Sequence, residues 1–192
     1  MRLHLRNIRV TSGIASPQSV VTFWSGAGPD KWFTKDDAFD RDIREGFLAT
    51  HEAAAQGKLS DWETSADGVL ALLILLDQFP RNMFRGSART FATDPLARDI
   101  AHRALKKGFD ANVPEAMRNF FYLPFQHSEQ LADQERSLAL YRACGDADNI
   151  KWADIHADII RTFGRFPHRN AVLGRHTTPE EQAFLDGGGF KG

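Results

Sequence analysis

Cysteine and long apolar runs are both scarce in this sequence of 192 residues. Cys144 is the one cysteine, so the chain can form neither an internal disulfide nor a cysteine zinc cluster. The longest apolar run, VLALLILL at residues 69 to 76, is far shorter than the roughly 20 residues that a membrane-spanning helix needs. These absences predict a cytoplasmic protein that does not enter a membrane.

An excess of charge of one sign is also absent. Lys and Arg number 24 against 25 Asp and Glu, so no overall field attracts a nucleic-acid backbone or an anionic membrane surface. We therefore expect neither as a partner. The length fits one domain with a sizeable core. We predict a single helical domain over residues 15–192, preceded by a flexible arm over residues 1–14 that carries three arginines and no acid.

The motifs of several enzyme classes are missing. There is no Gly-rich phosphate loop after a strand and no Gly-x-Ser-x-Gly nucleophile motif. His127-x-Glu129 matches half of a zinc deaminase motif, but the cysteine half cannot be built from Cys144 alone. A metal site made of His127, Glu129 and either His156 or His168 is an alternative, although the helical spacings of known zinc motifs are absent. We expect no metal and no cofactor.

Helix start and stop signals divide the chain from residue 16 onward, and nothing alternates like a strand. Ser16 and Pro17 predict one helix start, and Thr178-Pro179-Glu180-Glu181 predicts a capping box. The other predicted starts are Thr34, Ser65, Asp94, Pro114, Ser128 and Asp148 or Asn149, and the predicted stops are Gly57, Pro80, Gly108, Gly145 and Phe163. The sequence thus predicts an all-α protein.

The direction of the predicted helices brings the unusual loops to one end of the molecule. Helices joined by short connections pack as antiparallel neighbours, so alternate loops lie at the same end. That end, which we call the rim, is predicted to collect residues 28–33, 77–82, 91–95, 123–129 and 164–170. Functional residues are common in loops that a rigid scaffold holds in place.

Two similar phrases, LDQFPRN at residues 76–82 and FGRFPHRN at residues 163–170, are predicted to lie on this rim. Asp77 ends a helix, where an acid meets the negative end of the helix dipole and needs a cation. Arg81, Arg165 and Arg169 are the candidate partners. The short link between the last two long helices also predicts that His127, Ser128 and Glu129 lie beside Arg165, His168 and Arg169.

Two interpretations of these side chains are open, beside a purely structural ion-pair network. In the favoured one, the rim binds a small anionic ligand or a peptide carboxylate. In the other, the protein is an enzyme that uses acid-base chemistry on an anionic small molecule, with His127, Glu129 and His168 as candidate catalytic residues. For His156, a hydrogen-bonded core histidine is favoured over a ligand. The candidate ligand-binding residues are Trp32, Asp77, Arg81, Asn82, His127, Glu129, His156, Arg165, His168, Arg169 and Asn170.

Six ordered motifs carry a resemblance to a known family: FDRDIREGF, LLDQFPRNMFRG, FATDPLA, LPFQHSE, HADIIRTFGRFPHRNAVLGR and TPEEQAFL. Together they resemble the bacterial domain-of-unknown-function family 924 over about residues 18–187. The resemblance implies a right-handed array of antiparallel helix pairs, similar to tetratricopeptide folds. It implies no activity and no catalytic residue. The basic segment before residue 15 lies outside the resemblance.

Overall fold

The computed structural model describes residues 13–191, so the predicted arm over residues 1–14 lies largely outside the described residues. Within them the protein is all-α, as predicted, and no strand is present. The predicted tetratricopeptide-like superhelix is consistent with this architecture and stays a prediction. The α-helices are α1 Pro17–Ala27, α2 Pro29–Trp32, α3 Asp37–Ala55, α4 Ala66–Leu73, α5 Phe79–Met83, α6 Asp94–Lys106, α7 Glu115–Arg118, α8 Leu123–Gln126, α9 Leu131–Cys144, α10 Ala147–Phe163 and α11 Pro179–Asp186.

Several helix starts follow from capping side chains. Ser16 accepts a hydrogen bond from the Ser19 backbone N–H at the start of α1, and Ser65 accepts one from Gly68 at the start of α4. Thr178 and Glu181 form the predicted capping box of α11. These predictions are confirmed, because in each case a side-chain oxygen satisfies an N–H that the first turn leaves free.

Other predicted starts are displaced by a few residues. Helix α3 begins after Asp36 rather than Thr34, because the Asp36 carboxylate accepts two N–H groups of the first turn. Helix α10 begins after Asp146, which caps Asn149. Ser128 does not cap α9, which begins at Leu131. Where two polar residues compete, the one whose side chain reaches the free N–H groups sets the start.

The core forms around α4, whose apolar run is buried throughout. Helix α1 packs on α4, and α3 packs on α5 and on the turn that precedes it. Aromatic rings fill the space between them: Trp24 contacts Phe79 and Phe120 edge to face, with centroids 5.6 and 5.8 Å apart. Among residues 13–191, no helix combines the length and the apolar character needed to cross a bilayer.

The chain continues helically through Pro80, so the predicted stop before this proline is wrong. Residues Ile74–Gln78 form a buried π turn, and α5 follows directly with Pro80 in its first turn. A proline is tolerated at that position of a helix because its missing N–H is not needed there. The consequence is that the residues of the π turn stay within the core and lead directly to the rim.

Side chains from α3 and from the turn before α6 satisfy the carbonyls that the π turn and the proline leave without a backbone donor. His51 Nδ1 donates to Leu75 O over 2.9 Å. Thr93 Oγ1 donates to the carbonyl of Leu76. The turn is therefore held by residues outside its own helix, which fixes Asp77, one of its residues, in place.

Helices α9 and α10 form the predicted hairpin, which packs on α8. Gln134 is fully buried in it and donates to the carbonyls of Gln126 and Ser128 over 2.7 and 2.6 Å. His156 donates from Nδ1 to Trp152 O over 2.7 Å. Both buried polar side chains thus have partners, as predicted. The hairpin also sets the end of α10 beside the start of α9, at the rim.

Candidate functional site

Four of the five predicted rim loops meet in one charged cluster. It contains Asp77 from the π turn, Arg81 from α5, Asp94 at the start of α6, His127 after α8 and Arg169 after α10. Ion pairs connect Arg81 to Asp77 and Asp94, and Arg169 to Asp94, while a hydrogen bond connects His127 to Asp77. The helix directions thus predicted which loops come together, although Asp94 was not among the candidate residues.

Asp77 and His127 form a buried pair. The Asp77 carboxylate is 1% exposed, and its two oxygens lie 2.8 and 3.0 Å from His127 Nδ1. Gln78 and Arg81 also contact Asp77, through its carboxylate and its backbone carbonyl. Nδ1 therefore carries the proton of the neutral ring and donates a hydrogen bond to the carboxylate. Nε2 is then unprotonated and can act as an acceptor.

The electrostatics of the pair keep the acid charged and the histidine neutral. Burial raises the pKa of Asp77, but Arg81 and His127 outweigh this effect and lower it to about 2. Burial and the charge of Arg81 lower the pKa of His127, against the opposing attraction of Asp77. At neutral pH the pair is a carboxylate hydrogen-bonded to an uncharged imidazole.

Arg81 is fully paired. Its guanidinium contacts both oxygens of Asp94, at 3.0 and 2.9 Å, in the bidentate geometry that suits a carboxylate. It also lies 3.4 Å from Asp77 Oδ1. Arg81 thereby partly offsets the negative charges of both Asp77 and Asp94, and its N–H donors are engaged by these two acids.

Arg169 is buried without this kind of partner. It is 7% exposed, and its guanidinium carbon lies 4.5 Å from the centre of the Phe91 ring and 4.4 Å from that of Phe166. Its nearest acid is Asp94, at 3.8 Å, and within residues 13–191 its buried Nε has no hydrogen-bond partner. Burial and the charge of Arg81 lower the pKa of Arg169 to about 10. The arginine is held between two rings and not by an acid.

A cavity of about 310 Å³ opens beside Arg169. Charged and polar groups line one part of it, and apolar groups line the rest. The lining residues are Ala88, Phe91, Ala92, Asp94, Pro95, Arg98, Pro124, His127, Ser128, Glu129, Gln130, Arg169 and Leu173. His127 and Arg169, the two unusual residues described above, thus line the same cavity.

Glu129 closes one side of this cavity. Its carboxylate pairs with Arg175 at 2.8 and 3.0 Å and accepts the Phe166 backbone N–H at 2.8 Å. Burial raises the pKa of Glu129, but the bonds from Arg175 and Phe166 outweigh this effect and lower it. Arg175 is thus the partner of Glu129, which the sequence predicted to lie beside Arg165 and Arg169.

Arg165 and Asn170 lie in a second network, away from Asp77. Arg165 pairs with Glu181 at 2.6 and 2.9 Å, and Asn170 donates to the same carboxylate over 3.0 Å. The Arg165 bond lowers the pKa of Glu181 most, and the overall shift brings it to about 2. This network joins the loop after α10 to α11 and does not reach the cavity.

Three further candidates lie outside the cavity wall. Trp32 packs in the core against Trp24, with ring centroids 6.1 Å apart. Asn82 donates to Asp40 over 2.7 Å. None of these contacts involves the cavity. The third candidate is His156, whose hydrogen bond to Trp152 was given above.

His156 and His168 share an aromatic cluster with Phe166 and Phe190. The His156 ring lies 4.5 Å from the Phe190 ring, and the His168 ring lies 5.2 Å from it. Burial lowers the pKa of His156 to about 4 and that of His168 to about 3, with Arg169 contributing to both. Both rings are therefore neutral and lie behind Phe166, away from the cavity.

Sequence reasoning missed four residues of the site: Phe91, Asp94, Arg98 and Arg175. Asp94 precedes a proline and was predicted only as a helix start, which is where α6 begins. Arg175 lies in a segment without helical periodicity, which gave no basis for placing it. Within residues 13–191, no group of three or more His, Cys, Asp or Glu side chains could hold a metal ion.

Comparisons with known proteins agree with this architecture. The sequence matches the family model described as a bacterial protein of unknown function (DUF924) over residues 20–189. A solved structure of a protein of unknown function from Agrobacterium tumefaciens is 49% identical, with a TM-score of 0.87, and the match covers 89% of this chain and 97% of that chain. The search of curated proteins finds no match. Because the family model spans most of the chain, this protein belongs to the bacterial domain-of-unknown-function family 924.

Proposed function

We propose that the protein binds a small carboxylate in the cavity beside Arg169. The observation that supports this function is the state of the Arg169 guanidinium, which is 93% buried (7% exposed) and has no hydrogen bond to a carboxylate. A buried charged group without hydrogen bonds is costly, and an incoming carboxylate would accept two of them in bidentate geometry. The rings of Phe91 and Phe166 hold the guanidinium in place before any ligand arrives.

The charges around the cavity favour a singly charged ligand. Asp94 and Glu129 line the cavity, and both are already paired, with Arg81 and Arg175. A phosphate dianion would meet two carboxylates, and like charges held close repel. Arg98 also lines the cavity, but it pairs with Asp133 at 3.4 Å, so Arg169 is the cation that remains for a single carboxylate.

The apolar part of the wall indicates a ligand with a hydrocarbon portion. Phe91, Pro95, Pro124 and Leu173 line the cavity, and Leu173 is 36% exposed at its edge. A volume of about 310 Å³ lies at the lower end of the range of small-molecule sites, roughly 300 to 1,000 Å³. The last residue of a peptide, with its carboxylate and its side chain, offers the same groups as a short free acid. Free acids and peptides are therefore tested separately.

Thermal unfolding in the presence of pentanoate, benzoate, pentanamide and phosphate tests this proposal. A ligand present at tenfold its Kd adds about 1.4 kcal/mol to the free energy of unfolding, which raises the Tm by about 3 to 6 °C for a chain of this size. We expect this rise with pentanoate or benzoate and none with pentanamide, the uncharged analogue, or with phosphate. A tripeptide with a free carboxyl terminus and its amide distinguish a peptide from a free acid.

Arg169→Met should abolish the shift, because methionine keeps the length and loses the charge. Arg103→Met is the matched control, since Arg103 pairs with Glu63 and does not line the cavity. The proposal fails if no carboxylate raises the Tm of the wild type, or if Arg169→Met responds as the wild type does.

A further inference from the structure

The imidazole of His127 is arranged to accept a proton from the cavity. Asp77 holds Nδ1–H at 2.8 and 3.0 Å, so the lone pair on Nε2 is free to act as a base. Within residues 13–191, no hydrogen bond engages Nε2. The side chain is 14% exposed and lines the cavity, so solvent reaches it from that side.

The other titratable groups of the cavity wall are already engaged. Asp94 is held by Arg81 and Glu129 by Arg175, each through two hydrogen bonds, so both carboxylates are already engaged by these arginines. His127 is the base that remains, and after it has accepted a proton it becomes the acid that returns one. A site with one base of this kind can carry out a reaction in which the same proton is taken up and then released.

No side chain of the wall is free to act as the nucleophile. Ser128 is the one hydroxyl among the lining residues, and it donates to Asp133 over 2.7 Å and accepts the Gln130 N–H at 3.2 Å. It lacks the contact with a histidine that activates a serine. The nucleophile must come from solution, and water is the one that is always present.

We propose that the cavity is an active site, in which His127 activates water to hydrolyse an ester that carries a carboxylate. This inference rests on the proposed function, because the carboxylate bound by Arg169 would hold the substrate beside Nε2. Arg98 lines the same cavity. Its Nη1 contacts Ser128 Oγ at 3.3 Å and Asp133 at 3.4 Å, and its Nε lies 4.0 Å from Asp99, so the N–H groups of Nη2 remain to stabilise a negative carbonyl oxygen.

The reaction is balanced with water as the second reactant. Nε2 takes one proton from water as the water oxygen bonds to the ester carbonyl carbon, and the carbonyl oxygen becomes negative. When this oxygen forms its double bond again, the bond to the leaving alkoxide breaks and the imidazolium returns the proton to it. One ester and one water give one acid and one alcohol, and His127 is neutral again.

Two para-nitrophenyl esters of similar length test the inference: the monoester of glutaric acid, which carries a carboxylate, and the ester of pentanoic acid, which does not. We expect saturable release of nitrophenolate and a higher kcat/KM for the charged ester. His127→Gln should lower kcat by about 100-fold or more, the effect typical of a lost general base. His176→Gln is the control for unspecific hydrolysis by surface histidines, because His176 does not line the cavity.

Asp77 is a positioning residue, since it would act through His127. Asp77→Asn should lower kcat with little change in KM, because an amide no longer fixes the tautomer that presents Nε2. In the wild type, kcat/KM should rise with pH to a plateau, with a midpoint below the ordinary histidine value, since the pKa of His127 is lowered by burial and by Arg81. The other titratable groups around this ring are Asp94, Arg98, Glu129 and Arg169, which line the same cavity, and His156.

The two proposals fail in different ways. If His127→Gln hydrolyses the charged ester as fast as the wild type, catalysis by His127 is excluded, while a shift of the wild-type Tm by pentanoate still supports binding. If the two esters react at the same rate and Arg169→Met changes neither, the carboxylate anchor is excluded as well. Retained pentanoate binding in His127→Gln shows that lost turnover is not lost folding.

Discussion

Replacing Arg169 by methionine removes a buried charge from between two aromatic rings and keeps the length of the side chain. The guanidinium lies 4.5 and 4.4 Å from the centres of the Phe91 and Phe166 rings, with Asp94 at 3.8 Å as its nearest acid. Asp94 keeps both of its bonds to Arg81 in the variant. The substitution therefore leaves no acid without a partner, which distinguishes it from the loss of most buried arginines.

Two opposing contributions determine the change in the free energy of unfolding. Burial and Arg81 lower the pKa of Arg169 from 12.5 to about 10, so at neutral pH its charge costs the folded protein about 3 kcal/mol. Neutral pH lies well below this pKa, so the charge is essentially complete there and the cost applies across the physiological range. Against it, two cation-π contacts contribute about 1 to 2 kcal/mol each, part of which methionine regains through its sulfur.

The difference predicts that Arg169→Met is as stable as the wild type or more stable, by up to about 2 kcal/mol. That gain corresponds to a rise in Tm of about 4 to 8 °C for a chain of this length. Urea unfolding of both proteins at neutral pH, followed by circular dichroism, measures the difference without a ligand. The midpoint should rise with an unchanged m-value.

Arg175→Met is the matched comparison, because Arg175 also reaches the rim and Phe166 but pairs with Glu129 at 2.8 and 3.0 Å. Its removal leaves a half-buried carboxylate with one hydrogen bond fewer on each oxygen, at a cost of about 1 to 3 kcal/mol. If Arg169→Met is destabilised as much as Arg175→Met, then Arg169 stabilises the loops as any paired arginine does. Arg169 would then not be the cation that binds the carboxylate ligand.

Two other substitutions test the hydrogen bond that holds the π turn and the charge of the Asp77 carboxylate. Thr93→Val keeps the shape of the side chain and removes the donor to Leu76 O, so it should lower the free energy of unfolding by about 1 to 3 kcal/mol in urea titrations. Asp77 has a folded pKa of about 2, lowered from 3.8, so its contribution is present above pH 4 and is lost as the pH falls from 4 to 2. Asp77→Asn should therefore be less stable than the wild type at pH 7, by on the order of 2 kcal/mol, and should lose less stability over that window. An equal pH dependence of the two proteins would exclude this role of the carboxylate.

The position of the site could be predicted from the sequence because helix directions are discrete. Once the start and stop signals fix which loops share an end, Asp77, His127 and Arg169 must lie at the same rim. The direction of a helix does not depend on side-chain geometry, and it is unchanged when a predicted helix boundary is wrong by a few residues, as at the start of α3. Helix direction does not show which loops at one end face one another, so Trp32 was included among the candidate ligand-binding residues although it packs in the core.

Pairing between particular side chains could not be predicted. Arg165 and Arg175 lie ten positions apart on the same rim, and the path of the loop after α10 decides which of them meets Glu129. That loop has no periodicity to interpret.

The π turn was missed for a related reason, because a proline at the end of an apolar run is read as a helix stop. The side chains that replace the missing backbone donors, His51 and Thr93, are 24 and 17 positions away in sequence from the carbonyls they bind.

The π turn also determines which genetic changes the site can tolerate. A π turn holds one residue more than the α-helical turn it replaces, and each α-helical residue rotates the chain by about 100°. Deleting one residue from Ile74–Gln78 could restore a regular α-helix while turning Asp77, or whatever takes its place, away from His127. A one-residue deletion in this segment would therefore preserve the fold and remove the site, which few substitutions would do. A homologue that lacks this residue would keep the core and lose the carboxylate–imidazole pair.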